Sequence, residues 1–133
     1  MSNSKTLRHT NQKAYVINYL KRTTTHPTAS DIYQEALKTG FHIGLTSVYR
    51  ILDGYEKEGE VISIKTNGKV HYDYSKGGHV HFVCDTCGKI FDVDYNEELI
   101  KKVFEEKGFT IQSIQSIIVH GTCADCKSKL KNN

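Results

Sequence analysis

The sequence has no apolar run near the roughly 18 residues that a membrane-spanning helix needs. Its first ten residues, MSNSKTLRHT, are polar and lack the apolar stretch of a secretory signal peptide. Proline occurs once and cysteine only four times in 133 residues. We therefore expect a cytoplasmic, reducing location without a membrane partner, where metal binding is favoured over disulfides as the use of those cysteines.

Basic side chains are in slight excess over acidic ones, and this excess lies in the first half of the chain. Lys plus Arg number 18 and Asp plus Glu 15, which gives a net charge of +3. Residues 1–71 carry 10 basic and 6 acidic side chains, and residues 72–133 carry the remaining 8 and 9. The first 22 residues contain no acid. This distribution indicates that the front half contacts a polyanion.

Hydrophobic periodicity in the first half predicts three helices. Ala14, Ile17 and Leu20 form the expected apolar stripe of the first helix. Thr28, followed three residues later by Asp31, has the pattern of a helix N-cap. The helices are expected at residues 10–21, 28–40 and 46–59.

The pattern changes to that of a β-hairpin at residue 61, with Asn67-Gly68 as a two-residue turn. Three helices followed by a hairpin predict a winged helix-turn-helix DNA-binding domain over residues 1–76. Gly77-Gly78 marks the expected boundary with an α/β domain over residues 77–133. The predicted fold class is therefore α+β.

The second half is expected to contain strands, one main helix and a short basic tail helix. Asn96 is the predicted N-cap of that main helix. Its apolar residues are expected to face inward: Leu99, Ile100, Val103 and Phe104. Strands are expected at residues 79–84, 89–93 and 109–119, the last with an isoleucine spacing that fits strict alternation poorly.

The cysteines form two C-x-x-C pairs, Cys84 with Cys87 and Cys123 with Cys126. Each pair brings two thiolates onto one ion, and two pairs complete the tetrahedral sulfur shell that suits Zn²⁺. Because four thiolates leave no open position, we expect this zinc to be structural. The tail must then fold back over the strand–helix–strand unit that separates the pairs.

His79-Val80-His81 is a second candidate metal site, because residues two apart on a strand point to one face. If the hairpin closes symmetrically around Asp85-Thr86, Asp92 becomes the cross-strand neighbour of His79. Asp73 lies just before the domain boundary, within reach. Such N and O donors suit Fe(II), Mn(II) or zinc. The alternative is a surface strand with two solvated histidines.

The non-core face of the third helix is the candidate DNA-reading surface. Tyr49 and Arg50 are expected at base edges and phosphates, and Lys13 at the phosphate backbone. Asp53 on the same face favours the alternative of a solvated helix. The main candidate DNA-contacting residues are Lys13, Thr46, Ser47, Tyr49 and Arg50, and Arg22, Lys65 and Lys69 are further candidates for the phosphate backbone.

Three segments resemble the ferric uptake regulator family: HPTASDIY at residues 26–33, TSVYR at 46–50 and HVHFVCDTCGK at 79–89. They stand in the family's order along nearly the whole chain, which ends in the family's second C-x-x-C. The resemblance implies a homodimeric, metal-dependent repressor that binds operator DNA. It also implies a C-terminal dimerisation domain and a structural zinc on the four cysteines.

Peroxide-sensing members of this family, of the PerR type, bind Fe(II) or Mn(II) through three histidines and two aspartates. The matching positions here are His26, Asp73, His79, His81 and Asp92. Iron-sensing members typically carry glutamate where the two aspartates stand, so the resemblance favours the peroxide sensor. It also implies that His26 and His79 are the ligands sensitive to oxidation.

An iron-responsive regulator is the alternative, because Arg50 follows Tyr49 as in iron regulators, whereas PerR-type members usually carry asparagine there. A zinc-responsive Zur-type sensor would need a further cysteine, and all four are assigned.

Outside the family, a metalloenzyme and a plain zinc-ribbon interaction module are the competing classes. The sequence has no H-E-x-x-H, no H-x-E paired with P-C-x-x-C and no spare general base. Five protein ligands would also leave little room for a substrate. We therefore expect no enzymatic activity and no small organic substrate. In the interaction module, His26 and Asp73 would take no part.

Overall fold

The structure, a computed structural model, describes residues 3–74, 79–114 and 116–131, including all their side chains except those of 3–6, 79 and 131. The chain divides into two compact units, Met1–Ser75 and Lys76–Asn133. The predicted boundary at Gly77-Gly78 lies outside the described residues. No helix in the described ranges is long and apolar enough to cross a bilayer. The mixture of helices and strands confirms the α+β class.

The first unit has three helices followed by a two-stranded antiparallel hairpin, which is the predicted winged-helix arrangement. Its core is built from fully buried aliphatic side chains of all three helices and the hairpin, among them Leu20, Ile32, Leu52 and Val61. Burial of this apolar surface is the main stabilising contribution. The elements are α1 Asn3–Arg22, α2 Ala29–Thr39, α3 Leu45–Lys57, β1 Val61–Thr66 and β2 Lys69–Tyr74.

Local signals set the helix and hairpin ends of this unit. The Thr28 hydroxyl accepts a hydrogen bond from the Asp31 N–H at 3.1 Å, and the Asp31 carboxylate accepts one from the Thr28 N–H at 3.0 Å. This reciprocal pair confirms the predicted N-cap of α2. Gly40, at φ 75°, ends the helix. The hairpin turns at Asn67-Gly68, where both residues have the positive φ that a type I′ turn requires.

Two predictions about α1 are wrong. The helix begins at Asn3 rather than residue 10, because its polar first turns carry no apolar periodicity to reveal them. Ala14 is exposed, whereas Val16 is fully buried together with Ile17 and Leu20. At 100° per residue, Val16, Ile17 and Leu20 share one face of the helix, and Ala14 lies outside that face.

The elements of the second unit are β3 His79–Cys84, β4 Ile90–Asp94, α4 Glu97–Glu106, β5 Ile118–Gly121 and α5 Ala124–Lys131. The strands form a three-stranded sheet in the order β4-β3-β5, with β4 antiparallel and β5 parallel to β3. Asn96 caps α4 through a hydrogen bond from the Glu98 N–H at 3.0 Å, as predicted.

The expected strand at 109–119 is wrong in its bounds, since the strand described in this region is Ile118–Gly121, preceded by one hydrogen bond from the His81 N–H to the Ile117 carbonyl. Its isoleucine spacing does not alternate, so no single pleated face is apolar.

The apolar face of α4 is also not buried within this unit as expected. Leu99 is 63% exposed, Val103 59% and Phe104 46%. Among the described residues of the unit, the buried side chains are only those of His81, Val83, Cys84, Cys123 and Cys126. The second unit therefore has little apolar core of its own.

Candidate metal centres

The four cysteines meet at one point of the second unit. Cys84 ends β3, Cys87 lies in the turn that follows, and Cys123 and Cys126 flank the start of α5. The parallel pairing of β5 with β3, extended by a hydrogen bond from the Asp85 N–H to the Gly121 carbonyl, returns the second pair to the first. All four sulfurs lie within 4.8 Å of one another. The predicted meeting of the two pairs is therefore present.

Backbone donors polarise this cluster. The N–H groups of Cys87 and Cys123 point at Sγ of Cys84, at 3.5 and 3.3 Å, and lower the pKa of the Cys84 thiol to about 6. The pKa of Cys126 is raised to about 12, first by its hydrogen bond with Cys123 and then by burial. The lowered pKa of Cys84 favours its thiolate, which is the form that binds metal.

The donor set fits a tetrahedral, thiophilic ion. Four sulfurs this close cannot all be ionised without a cation among them, because like charges repel strongly when partly buried. Zn²⁺ accepts four thiolates in a closed tetrahedral shell. Cys84, Cys87, Cys123 and Cys126 together can hold such an ion, and three of the four are buried.

The first unit contains a buried imidazole–carboxylate pair. His26 lies in the loop between α1 and α2, and its Nε2 is 3.8 Å from Oδ2 of Asp73 on β2. The two side chains are 7% and 13% exposed. Hydrogen bonds between the loop and β2, including one from the Tyr72 N–H to the Pro27 carbonyl at 2.8 Å, bring the two together. Both offer N and O donors of the kind that Fe(II) and Mn(II) accept.

The second unit contains a similar pair. Nε2 of His81 lies 3.3 Å from Oδ1 of Asp92, and the histidine side chain is only 4% exposed. The two residues are directly opposite on β3 and β4. The His79 side chain, predicted to share this site, lies outside the described residues.

The predicted strand register is wrong by two residues, because Asp92 opposes His81 and His79 opposes Asp94. The turn between the strands is not centred on Asp85-Thr86. It extends to Lys89, whose carbonyl accepts the Cys84 N–H at 3.0 Å. The C-x-x-C turn and the following glycine require this longer connection, so the centre moves along the chain.

The candidate DNA-contacting residues all lie in the first unit. On α3, Thr46, Tyr49 and Arg50 are exposed, and Ser47 is half-buried. Lys13 on α1 is exposed and lines the same cleft as Arg50. Asp53 forms a 3.3 Å ion pair with Lys57, which offsets part of its negative charge on this face.

The sequence profile of the Ferric uptake regulator family matches residues 4–119. This chain belongs to the ferric uptake regulator family. It is 34% identical over 115 residues to the ferric uptake regulation protein of Neisseria gonorrhoeae, covering 84% of this chain and 79% of that protein. Over 127 residues it is 30% identical to the peroxide operon regulator of Bacillus subtilis (strain 168), covering 92% and 86%.

A solved structure of a family member is similar over almost the whole chain. The Campylobacter jejuni peroxide stress regulator superposes with a TM-score of 0.75 at 29% identity, covering 95% of this chain and 96% of that one. As a ferric uptake regulator family member, the present protein is a metal-responsive regulator. Relatives named for iron and for peroxide match it at similar identity.

For His71 and His120 the sequence predicts only surface or hydrogen-bonded side chains without a visible partner. In the structure, His71 Nδ1–H donates to the His26 carbonyl at 2.7 Å, and His120 Nδ1–H donates to Asp85 at 2.9 Å. The spacing of His71 and Asp73 on one strand was a signal that both address the same side of the hairpin. Its partner, 45 residues earlier, was not visible from sequence.

Proposed function

We propose that this protein is a homodimeric, metal-dependent transcriptional repressor that senses peroxide. A structural zinc would bind Cys84, Cys87, Cys123 and Cys126. A regulatory Fe(II) or Mn(II) would bind His26, Asp73, His79, His81 and Asp92. The observation that carries the proposal is the imidazole–carboxylate pair in each unit, formed by residues at the positions of the family's sensing ligands.

The regulatory ion would couple the two units. His26 and Asp73 belong to the first unit, whereas His81 and Asp92 belong to the second. A single ion bound by both pairs would tie the winged helix to the rest of the chain and stabilise one arrangement of the two. The ion would bind more tightly to the arrangement in which both pairs contact it than to an arrangement in which they are apart. The ratio of these two metal affinities would set the free energy that couples metal binding to DNA binding.

A second copy of this chain is the proposed partner of the second unit. The apolar side chains of α4 and of the sheet, such as Val103 and Val119, are exposed instead of forming a core. An exposed apolar face of this kind is typical of an interface. A dimer would present two copies of α3 to two half-sites of an operator, at a spacing that the regulatory ion would fix.

A gel-shift titration tests the central function. The zinc-loaded protein, with and without added Mn²⁺, is titrated against a duplex selected from a random library by the Mn²⁺-loaded protein. We expect Mn²⁺ to tighten binding at least tenfold, about 1.4 kcal/mol. Equal affinity in the two states would contradict the proposal. A fragment of shuffled sequence measures the nonspecific binding that the basic first unit gives in either state.

Peroxide sensing follows from the proposed ligands. A bound Fe(II) would supply the redox chemistry that cleaves the peroxide O–O bond. One oxygen atom would enter a C–H bond of an imidazole that holds the ion, which would become 2-oxo-histidine, and the other would leave as water. His26 and His79 are the proposed targets. The modified ring binds metal poorly, so the operator is released, and each molecule reacts once without turnover.

The second candidate is an iron-responsive repressor. Arg50, exposed on α3 beside Tyr49, favours it because iron regulators carry arginine at this position. Under this alternative, Fe(II) loading tightens operator binding in the same way, but peroxide leaves the histidines unmodified. The mass of the histidine-containing peptides after peroxide treatment separates the two.

A further inference from the structure

His26 has an unusual backbone conformation. Its φ is 53°, and among the described residues only Asn67, in the hairpin turn, is another non-glycine with positive φ. The backbone of a non-glycine residue is strained in this left-handed region, and such strain persists only where surrounding contacts hold it. The contacts around His26 therefore decide where its imidazole points.

The chain after His26 is fixed on both sides by backbone contacts. The Tyr72 N–H donates to the Pro27 carbonyl, and Thr28 forms a β-bridge with His71. Thr28 is also the N-cap of α2. These bonds hold the residues after His26, and a further hydrogen bond reaches the peptide group of His26 itself.

The His71 side chain makes that contact. Its Nδ1–H donates to the His26 carbonyl at 2.7 Å in a partly buried position. His71 and Asp73 stand two residues apart on β2 and so point to the same face of the hairpin. The His71 side chain donates to the His26 carbonyl, and Oδ2 of Asp73 lies 3.8 Å from Nε2 of the His26 ring.

We propose that His71 is a positioning residue for the regulatory metal: it holds the strained His26 peptide so that the imidazole faces Asp73. This inference rests on the proposed function, because it takes His26 as a metal ligand. Without the His71 donor, the His26 carbonyl loses this 2.7 Å hydrogen bond in a partly buried place, and the peptide is held less firmly in the left-handed region. Metal affinity then falls, because the ligand must be ordered again on binding.

The test compares His71→Leu, which removes the donor, with His71→Asn, whose side-chain amide can replace Nδ1–H. Mn²⁺ affinity is measured on the zinc-loaded, full-length protein by electron paramagnetic resonance titration. We expect His71→Leu to weaken Mn²⁺ binding about tenfold and His71→Asn to stay within about threefold of the parent. The Co²⁺ absorption bands, which report ligand geometry, should change in His71→Leu and be restored in His71→Asn.

His26→Ala separates this inference from the proposed function. If His26→Ala binds Mn²⁺ weakly and His71→Leu binds it like the parent, the positioning role is wrong while the ligand role stands. If His26→Ala keeps the parental affinity, His26 is not a ligand and the proposed site itself is wrong. A His71→Leu defect accompanied by a lower melting temperature of the zinc-only protein, and not rescued by His71→Asn, would also overturn the positioning role.

Discussion

Asp92 lies directly across the strand pair from His81, with its Oδ1 3.3 Å from the buried Nε2 of the histidine. Asp94, two residues further along β4, is instead paired with His79. The two aspartates lie on the same face of β4. Asp94 therefore serves as a matched control for Asp92, because it has the same charge but does not lie opposite His81.

The register makes a prediction about metal binding. Asp92→Asn should weaken Mn²⁺ binding at least tenfold, about 1.4 kcal/mol, because a charged oxygen ligand becomes a neutral amide beside His81. Asp94→Asn, the matched control, removes the same charge two residues further along β4 and should change affinity by less than about threefold. Isothermal titration of the zinc-loaded proteins measures both. Equal losses in the two variants would show that nearby charge, not coordination, sets the affinity.

The sulfur cluster makes a prediction about stability. Cys123→Ser should abolish stoichiometric zinc and lower the melting temperature by roughly 10 °C or more, because the second unit buries few apolar side chains and metal binding contributes to its folding. Thr86→Ala, in the turn between Cys84 and Cys87, removes no sulfur and should retain both. Elemental analysis with calorimetry provides the measurement. Parental stability in Cys123→Ser would mean that the cluster is not a structural metal site.

The exposed face of α3 makes a prediction about DNA. Arg50→Ala should weaken binding to the selected duplex about tenfold, through loss of a base or phosphate contact. Lys57→Ala, on the last turn of the same helix and paired with Asp53, is the charge-matched control and should cost less than about threefold. Fluorescence anisotropy at one fixed salt concentration compares them. Similar affinities for the two variants would show that Arg50 is not part of the DNA-contacting surface.

Peroxide sensing predicts a mass change in defined peptides. Trypsin should release residues 23–38, with His26 as their only histidine, and residues 77–89, which hold His79 and His81. After anaerobic Fe(II) loading and one equivalent of peroxide, a fraction of each peptide should gain about 16 Da, the mass of one oxygen atom, because each protein molecule is oxidised at one histidine or the other. Fragmentation assigns the second gain to His79. The Mn²⁺-loaded protein, exposed to the same peroxide, is the control and should stay unmodified.

Clean histidine peptides from the Fe(II)-loaded protein would contradict peroxide sensing and favour the iron-responsive alternative. The same gain in the Mn²⁺-loaded control would show that the oxidation does not depend on iron at the site.

Features fixed by neighbours in sequence were predictable. Thr28 and Asp31 form the expected capping box because both partners lie within one helical turn. Asn67-Gly68 forms the expected turn because few other residues accept its backbone angles. The two C-x-x-C pairs meet as expected because each turn is local and a shared ion requires all four sulfurs.

Features that depend on distant contacts were not predictable. The pairing of Asp92 with His81 depends on the length of the turn that the cysteine pair imposes, which a symmetric hairpin ignores. The apolar face of α4 was expected inside, because a periodic stripe indicates burial without saying against what. The contact from His71 to His26 joins residues 45 apart and leaves no local pattern.

The central claim is that one regulatory ion joins the two units. A crystal structure of the Mn²⁺-loaded protein, with the ion located by anomalous scattering at the manganese edge, tests it most directly. We predict a single manganese peak bonded to His26 and Asp73 together with His81 and Asp92. A manganese peak bonded to the residues of one unit only, with the other pair empty, would contradict it.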